Sequence, residues 1–433
     1  MAAGGQQPTA AATKQMKRRT YHDPLHGEIV LDSADPAEAM AMALIESAPF
    51  QRLRRIRQLG PAYLTFHGAE SSRFTHSLGV LQLARRALKH LERQTPSLAQ
   101  QRGLLYGAAL LHDVGHGPLS HSGEEMFGLH HETWSARLIR QQKSLREPLD
   151  GWLPGNSEAV AQLLERGIAP NPAIAALVSS QLDCDRLDYI RRDSYSTGTA
   201  YGQLDLSRLI GALVIAPDGQ LAIHPRGRTA VEHYLVVRSL MYGSVYNHRL
   251  NIVCNWLLQQ IIVQARRLGP SKIFADSVMN QWLWHIEDLD SDTYLANDDL
   301  RTGYHLIRWR EEGPAPLREL CERLLERRLL KATDVRQLNS GERLEALALA
   351  QRLSISAGLD PEICCGLRET RTTGYKPYVG GLRLWNGEHL QALEQVSPLV
   401  ESLSHPQELA WLLHPREISQ ALRLRLAAIS PQP

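Results

Sequence analysis

The chain is poor in the residues that would tie it to an oxidising compartment or to a bilayer. Its 433 residues include five cysteines, Cys184, Cys254, Cys321, Cys364 and Cys365, with no CxxC pair and no zinc-finger spacing among them. A disulfide framework and a thiolate zinc centre are thereby excluded, and all five are expected to be buried thiols. No apolar run is long enough to cross a membrane, and the first residues lack the apolar centre of a secretory signal, so the expected location is the cytoplasm. Net charge is almost absent as well: 48 Lys and Arg against 46 Asp and Glu leave a formal +2. That is too mild to drive duplex binding by the chain as a whole. Acidic residues are missing from residues 1–18. Such a stretch cannot bury enough surface to offset its ordering entropy, and a disordered basic arm is expected there.

What is present is helical periodicity. Patterns over 36–47, 49–59, 76–92, 99–112, 132–142, 158–166, 172–181 and 183–192 follow one another, and in the third Leu78, Leu81, Ala84, Leu88 and Leu91 recur at helical spacing. A Pro/Gly-punctuated turn with a short strand-like segment opens the ordered part at Tyr21 to Leu31. A β-hairpin joins Leu213–Ile215 to Leu221–Ile223 across Pro217-Asp218-Gly219-Gln220. One long helical tract runs from Ala230 to Leu268. Beyond Gly269 the chain reads as charged helices over 317–330 and 342–355, a strand pair of 375–379 with 382–385, and helices from about Glu388 and Pro415. With no repeat, low-complexity linker or sharp boundary, the expected fold is mainly α with small β additions.

The densest chemistry lies in Leu110-Leu111-His112-Asp113-Val114-Gly115-His116-Gly117-Pro118-Leu119-Ser120-His121. Adjacent His and Asp can share a cation through an imidazole nitrogen and a carboxylate oxygen, and Gly115, Gly117 and Pro118 break the chain just after them. His76 in Arg73-Phe74-Thr75-His76-Ser77 and Asp185 in Asp185-Arg186-Leu187-Asp188-Tyr189 would complete a set of two imidazoles and two carboxylates. Such a mixed N/O set suits manganese, iron, magnesium or zinc.

The order His, His-Asp, Asp on successive helices resembles the HD-domain phosphohydrolases. Phe50 to Gly60, Arg73 to Val80, His112 to His121, Asp185 to Asp193 and Asp23-Pro24-Leu25-His26-Gly27 together look like the deoxynucleoside triphosphate triphosphohydrolase branch of that family. The likeness is strong to about His248 and fainter in Glu326 to Lys331 and Tyr375 to Tyr378. It implies an HD helical core over 19–268 and a helical region over 269–433 that packs on it and serves oligomerisation, as a dimer or tetramer.

The same resemblance implies a divalent metal on His76, His112, Asp113 and Asp185, and hydrolysis at the α-phosphorus of a dNTP by metal-activated water, yielding deoxynucleoside and inorganic triphosphate. A sugar 5′ oxygen is a poor leaving group and calls for a proton donor with a pKa near neutral. His121 takes that role by resemblance, His116 faces the α-phosphate, and Glu124 with His131 orients the acid or the water. Arg73, Arg186 and Arg249 match phosphate contacts, Gln58 and Asp193 the 3′ hydroxyl, and Tyr189 with Tyr246 the sugar ring. Arg19, His22, Glu46, Gln51 and Arg54 fall where a relative binds an activating nucleotide, with His22 replacing Asn and Glu46 replacing Asp. Other readings are an HD enzyme acting on a monophosphate, a cyclic dinucleotide or guanosine tetraphosphate, or a nucleotide or single-stranded RNA sensor without turnover. Nucleic acid is not an expected partner, and a membrane is excluded as one.

Overall fold

Strand Arg18–Asp23 turns at Pro24–His26 and returns as Gly27–Asp32 in an antiparallel hairpin, pairing Arg19 with Leu31 and Asp23 with Gly27. The computed structural model describes residues 17–376 and 381–429. The expected basic arm lies, up to residue 16, outside these, and Arg18 already belongs to the strand. Successive strand residues face opposite sides, so Asp23 points into the core and His22 away from it.

The architecture is mainly α: twenty-two α-helices and nine short strands among the described residues. The 36–46 helix starts at Asp35, whose carboxylate accepts from Ala37 N and Glu38 N, a cap worth about 1 kcal/mol. The centre of the bundle is the Arg73–Leu91 helix, which buries Phe74, Leu78, Leu81, Ala84, Leu88 and Leu91. It packs against Arg102–Leu111 and Cys184–Thr197, so three helices bring His76, His112 and Asp185 to one place. All five cysteines are buried and free. No helix among the described residues is long and apolar enough to cross a membrane.

Several expectations are corrected. The helix expected over 49–59 stops at Arg52 and passes through a 3-10 turn, because Gln58 N donates to Ser71 O and Arg73 N to Ile56 O. The helix expected from Ala99 starts at Arg102, after a 3-10 turn over Pro96–Gln101. The tract from Ala230 to Leu268 is Arg228–Met241, a π-helical turn Tyr242–Tyr246 and a fresh helix Arg249–Leu268, whose start His248 caps through Nδ1. The pattern over 317–330 ends as a helix at Leu325, and Leu329 and Leu330 lead into a strand.

The expected 213–215/221–223 hairpin forms, pairing Leu213 with Ile223, and Ile223 also pairs with Leu384. Residues 383–385 pair with Leu390–Ala392, in the stretch where a helix was expected from Glu388. Part of the 375–379 strand falls outside the described residues, and Tyr375 and Lys376 are in no strand. A three-stranded antiparallel sheet of Lys331–Asp334, Gln407–His414 and Gly366–Thr372 was not anticipated. Its outer strands are short or charged and pair with the more apolar Gln407–His414 across 35 to 83 residues, which period-2 patterning does not reveal.

Candidate metal centre and adjoining cavity

His76 lies in the first turn of its helix and His112 at the C-cap of Arg102–Leu111. His112 Nδ1 donates to Ala109 O (3.0 Å), which leaves Nε2 bare and 3.2 Å from His76 Nε2. Asp185 Oδ1 stands 3.0 Å from His76 Nε2 and 3.7 Å from His112 Nε2; Asp113 Oδ2 stands 3.6 Å and 3.4 Å from the same atoms. Ligands at bonds of about 2.0–2.2 Å lie roughly 3–4 Å from one another around one ion, so His76, His112 and Asp185 could hold a single divalent cation, with Asp113 Oδ2 beside the two imidazoles and ion-paired to Arg73. Burial alone would lower the His76 pKa, but hydrogen bonds to Asp185 and Asp188 carry it up to about 10. Without metal a proton on His76 balances the carboxylates, and metal uptake must release it.

The neighbouring residues hold this group in place. Asp188 Oδ2 accepts from His76 Nδ1 (2.8 Å), while its other oxygen lies 2.7 Å from His26 Nε2 and both receive the Arg192 guanidinium. Arg192 in turn pairs with Asp23 at 2.9 Å. Sequence reasoning gave Asp188, His26 and Arg192 no role; a carboxylate three residues after Asp185 lies near the same helix face, which was the one available signal. Second-layer partners of this kind fix tautomer and ring orientation.

After Asp113 the chain turns back under the site. A Cβ at Gly115 would stand 2.2 Å from Ser135 N, so only glycine allows this approach, and Ser135 Oγ donates to His112 O while accepting from Gly115 N. Leu119 (φ 60°) and Ser120 (φ 58°) are left-handed, a strained conformation for residues with a Cβ. They are held from the far part of the chain. Asp299 accepts from Leu119 N (2.7 Å) and Arg57 N (2.9 Å), Tyr294 OH donates to Gly115 O (2.5 Å), and the buried Arg52 donates to both His116 O and Asn297 O.

This bend delivers a second group. The His116 ring stacks on His131 at 3.9 Å, and His121 lies edge-on to both. Glu124 accepts from His131 and lies 3.3 Å from His121 Nδ1; those two hydrogen bonds outweigh burial and hold its carboxyl far below the usual range. Burial, with Arg73 and His131 beside it, drives the His116 pKa well down, so its ring is neutral. His116 Nε2 is 3.2 Å from Asp113 Oδ1 but off the line of a hydrogen bond, and neither ring nitrogen has a partner.

A cavity of about 390 Å³ joins the two groups. Arg73, ion-paired to Asp113, and Arg186, ion-paired to Asp183, stand on its walls. Gln58, Tyr189, Asp193, Tyr246 and Tyr242 also line it, the last not anticipated from sequence. Tyr246 OH donates to Asp193 Oδ2 (2.9 Å), whereas Asp193 Oδ1, Gln58 Oε1 and Arg186 Nε are buried without partners. Arg249 is exposed at the start of its helix and does not line the cavity.

Burial raises the Asp193 pKa to about 7. Because the folded state then binds the proton more tightly than the unfolded chain, stability falls as pH rises from about 4 toward 7 and the penalty is complete above that. Asp193→Asn is therefore expected to raise the thermal unfolding temperature more at pH 8 than at pH 5. A gain of equal size at both values would contradict the assignment.

Away from the cavity, Arg19 pairs with Glu46, Gln51 Nε2 donates to Ile45 O, and Arg54 donates to Gln51 Oε1 while covering the Phe74 ring. These four form one surface around Tyr21, and His22 faces the other side of the strand.

The profile of the HD domain matches residues 73–190, and that of an HD associated region matches 204–414. The chain is 33% identical over 402 residues to the uncharacterized protein YwfO of Bacillus subtilis, covering 90% of each. With a protein of Danio rerio named deoxynucleoside triphosphate triphosphohydrolase SAMHD1 it shares 28% identity over 295 residues, 59% of this chain and 46% of that one. Its fold matches a phosphohydrolase from Bacteroides thetaiotaomicron with a TM-score of 0.81 at 24% identity, covering 92% of this chain and all of the other. The helical order, the clustered His and Asp side chains and these likenesses agree: the chain belongs to the HD-domain family of dNTPase-like phosphohydrolases.

Proposed function

We propose that this phosphohydrolase cleaves deoxynucleoside triphosphates to deoxynucleoside and inorganic triphosphate. The observation that carries the reading is one cavity lined both by His112, Asp113 and Asp185 of the candidate metal group and by Gln58 and Asp193, whose Oε1 and Oδ1 are buried without partners. Acceptors left bare in a buried pocket are costly unless a ligand supplies donors, and a sugar hydroxyl is such a donor. Tyr189 and Tyr246, edge to face at 5.9 Å, would close on the ring where a 2′ hydroxyl would project.

His76, His112, Asp113 and Asp185 would hold manganese, iron, magnesium or zinc. When bound, such an ion lowers the pKa of water and offsets phosphoryl charge. Arg73 and Arg186 would bind the phosphates, Arg186 with its unpartnered Nε. His116, neutral, can donate one N–H to the α-phosphate. Glu124 and His131 orient His121, which would protonate the departing 5′ oxygen. The surface of Arg19, Glu46, Gln51 and Arg54 would take an activating nucleotide at a contact between subunits of a homo-oligomer.

Incubation with each dNTP and manganese should release tripolyphosphate and deoxynucleoside in equal amounts, with ribonucleotides turned over more slowly. Release of pyrophosphate and monophosphate would overturn the proposal, and turnover only of monophosphates or cyclic dinucleotides would move it to another phosphate ester.

A further inference from the structure

A separate cavity of about 310 Å³ lies between the Arg73–Leu91 helix, the Cys184–Thr197 helix and the start of Leu206–Gly211. It shares no lining residue with the catalytic cavity. Two arginines on different helices face it, Arg86 and Arg191, both partly buried. Arg191 makes no hydrogen bond or ion pair among the described residues, and the one bond of Arg86 is to Ser207 Oγ at 3.4 Å. The carboxylates within reach are engaged elsewhere. Asp205, on the cavity wall, caps the next helix by accepting from Arg208 N (2.9 Å). Asp188 and Asp23 are held by Arg192 and His26.

Two adjacent guanidiniums with no ion pair of their own, beside carboxylates already bonded to other groups, are under-compensated in a partly buried site. Burial lowers the Arg191 pKa; the Asp188 and Asp23 carboxylates counter this in part, and the positive charges of Arg86 and Arg192 add to it. Removing a cation from water is offset only by a paired anion or by hydrogen bonds, and the arginine fork matches phosphate oxygens in shape. Leu25, Leu204 and Leu206 also line the cavity, which is open to solvent and mostly polar. His26 forms another wall; its Nε2 lies 2.7 Å from Asp188, which orients His76. An occupant would therefore sit one residue away from the hydrogen-bond chain that supports the metal group.

We infer that Arg86 and Arg191 form a binding site for a phosphate-class anion, distinct from the catalytic cavity and sized for a polyphosphate or the phosphates of a nucleotide. The inference does not depend on which nucleotide the enzyme hydrolyses.

Calorimetric titration of the full chain with inorganic tripolyphosphate tests it. One binding event should be weakened at least tenfold in the double variant Arg86→Gln/Arg191→Gln and kept in Arg186→Gln, which alters the catalytic cavity. Ser207→Glu, at an exposed position, places a carboxylate at the mouth and should abolish the same event even if the double variant folds poorly. Titrating Arg186→Gln with a dNTP separates the sources: tighter binding than tripolyphosphate assigns the site to a nucleotide's phosphates, and weaker binding assigns it to free polyphosphate. An isotherm that neither Arg86→Gln/Arg191→Gln nor Ser207→Glu changes would overturn the inference.

Discussion

His112→Ala is expected to lose metal and phosphohydrolase activity together, whereas His121→Ala should keep the metal and lose turnover. His112 contributes a bare Nε2 to a donor group whose atoms lie within a few ångströms of one another. Deleting it removes one of the three clustered donors, and elemental analysis should find metal well below one per chain. His121 stands outside that group with 68% of its side chain exposed, so its removal takes away edge contacts to His116 and His131 but no donor of the His76 group. Loss of a positioned proton donor typically lowers kcat by about 10²–10⁴-fold. The pair of variants also separates two candidate metal sites, because His116, His121, Glu124 and His131 form a second cluster with ligand-like spacing. If His121→Ala loses its metal while His112→Ala retains it, the assignment of the two clusters is reversed.

The second large effect is expected at a residue that bears no chemistry. A Cβ on Gly79 would stand 2.0 Å from Asp188 Oδ1 and 2.6 Å from Arg192 Nη2. Both groups are buried and bonded to each other, so the carboxylate cannot yield without leaving His26 and His76. Disrupting a buried ion pair usually costs about 3–5 kcal/mol, and loss of a second-layer partner weakens metal binding by about 10–100-fold. Gly79→Ala should therefore melt at a lower temperature and bind metal more weakly, although alanine favours helix. Gly151→Ala, at an exposed helical position with open space around it, is the control. It should be neutral or stabilising by about 0.4–1 kcal/mol. Equal behaviour of the two variants would show that Asp188 does not orient His76.

The sequence was most legible where local signals and chemistry coincided. His112-Asp113 followed by Gly115 announced a helix end carrying ligands, and the apolar spacing after His76 placed that helix in the core. The 213–223 hairpin was readable from its Pro-Asp-Gly-Gln turn. What stayed hidden depends on residues far apart in the chain. Nothing local marks His26 as a partner of Asp188, 162 residues away, or Asp299 as the acceptor for Leu119, 180 residues away. The break at Tyr242–Asn247 was missed for a related reason. Its apolar periodicity is continuous, and it is the His248 cap together with the bond from Tyr246 to Asp193 that sets the turn.

The hold that Tyr294, Asn297 and Asp299 exert on the segment from Gly115 to Leu119 bears on how this enzyme could be cut or recombined. The bend with its left-handed residues is hydrogen-bonded to a segment more than 170 positions downstream. A fragment ending near Leu268 would contain every candidate metal ligand and every histidine of the second cluster, yet it would lack the groups that keep the bend in shape. In a fragment of that length the bend would relax toward ordinary backbone angles. For anyone swapping parts among related chains, the unit of exchange is therefore the bend with its downstream clasp, not the stretch that carries the recognisable motif.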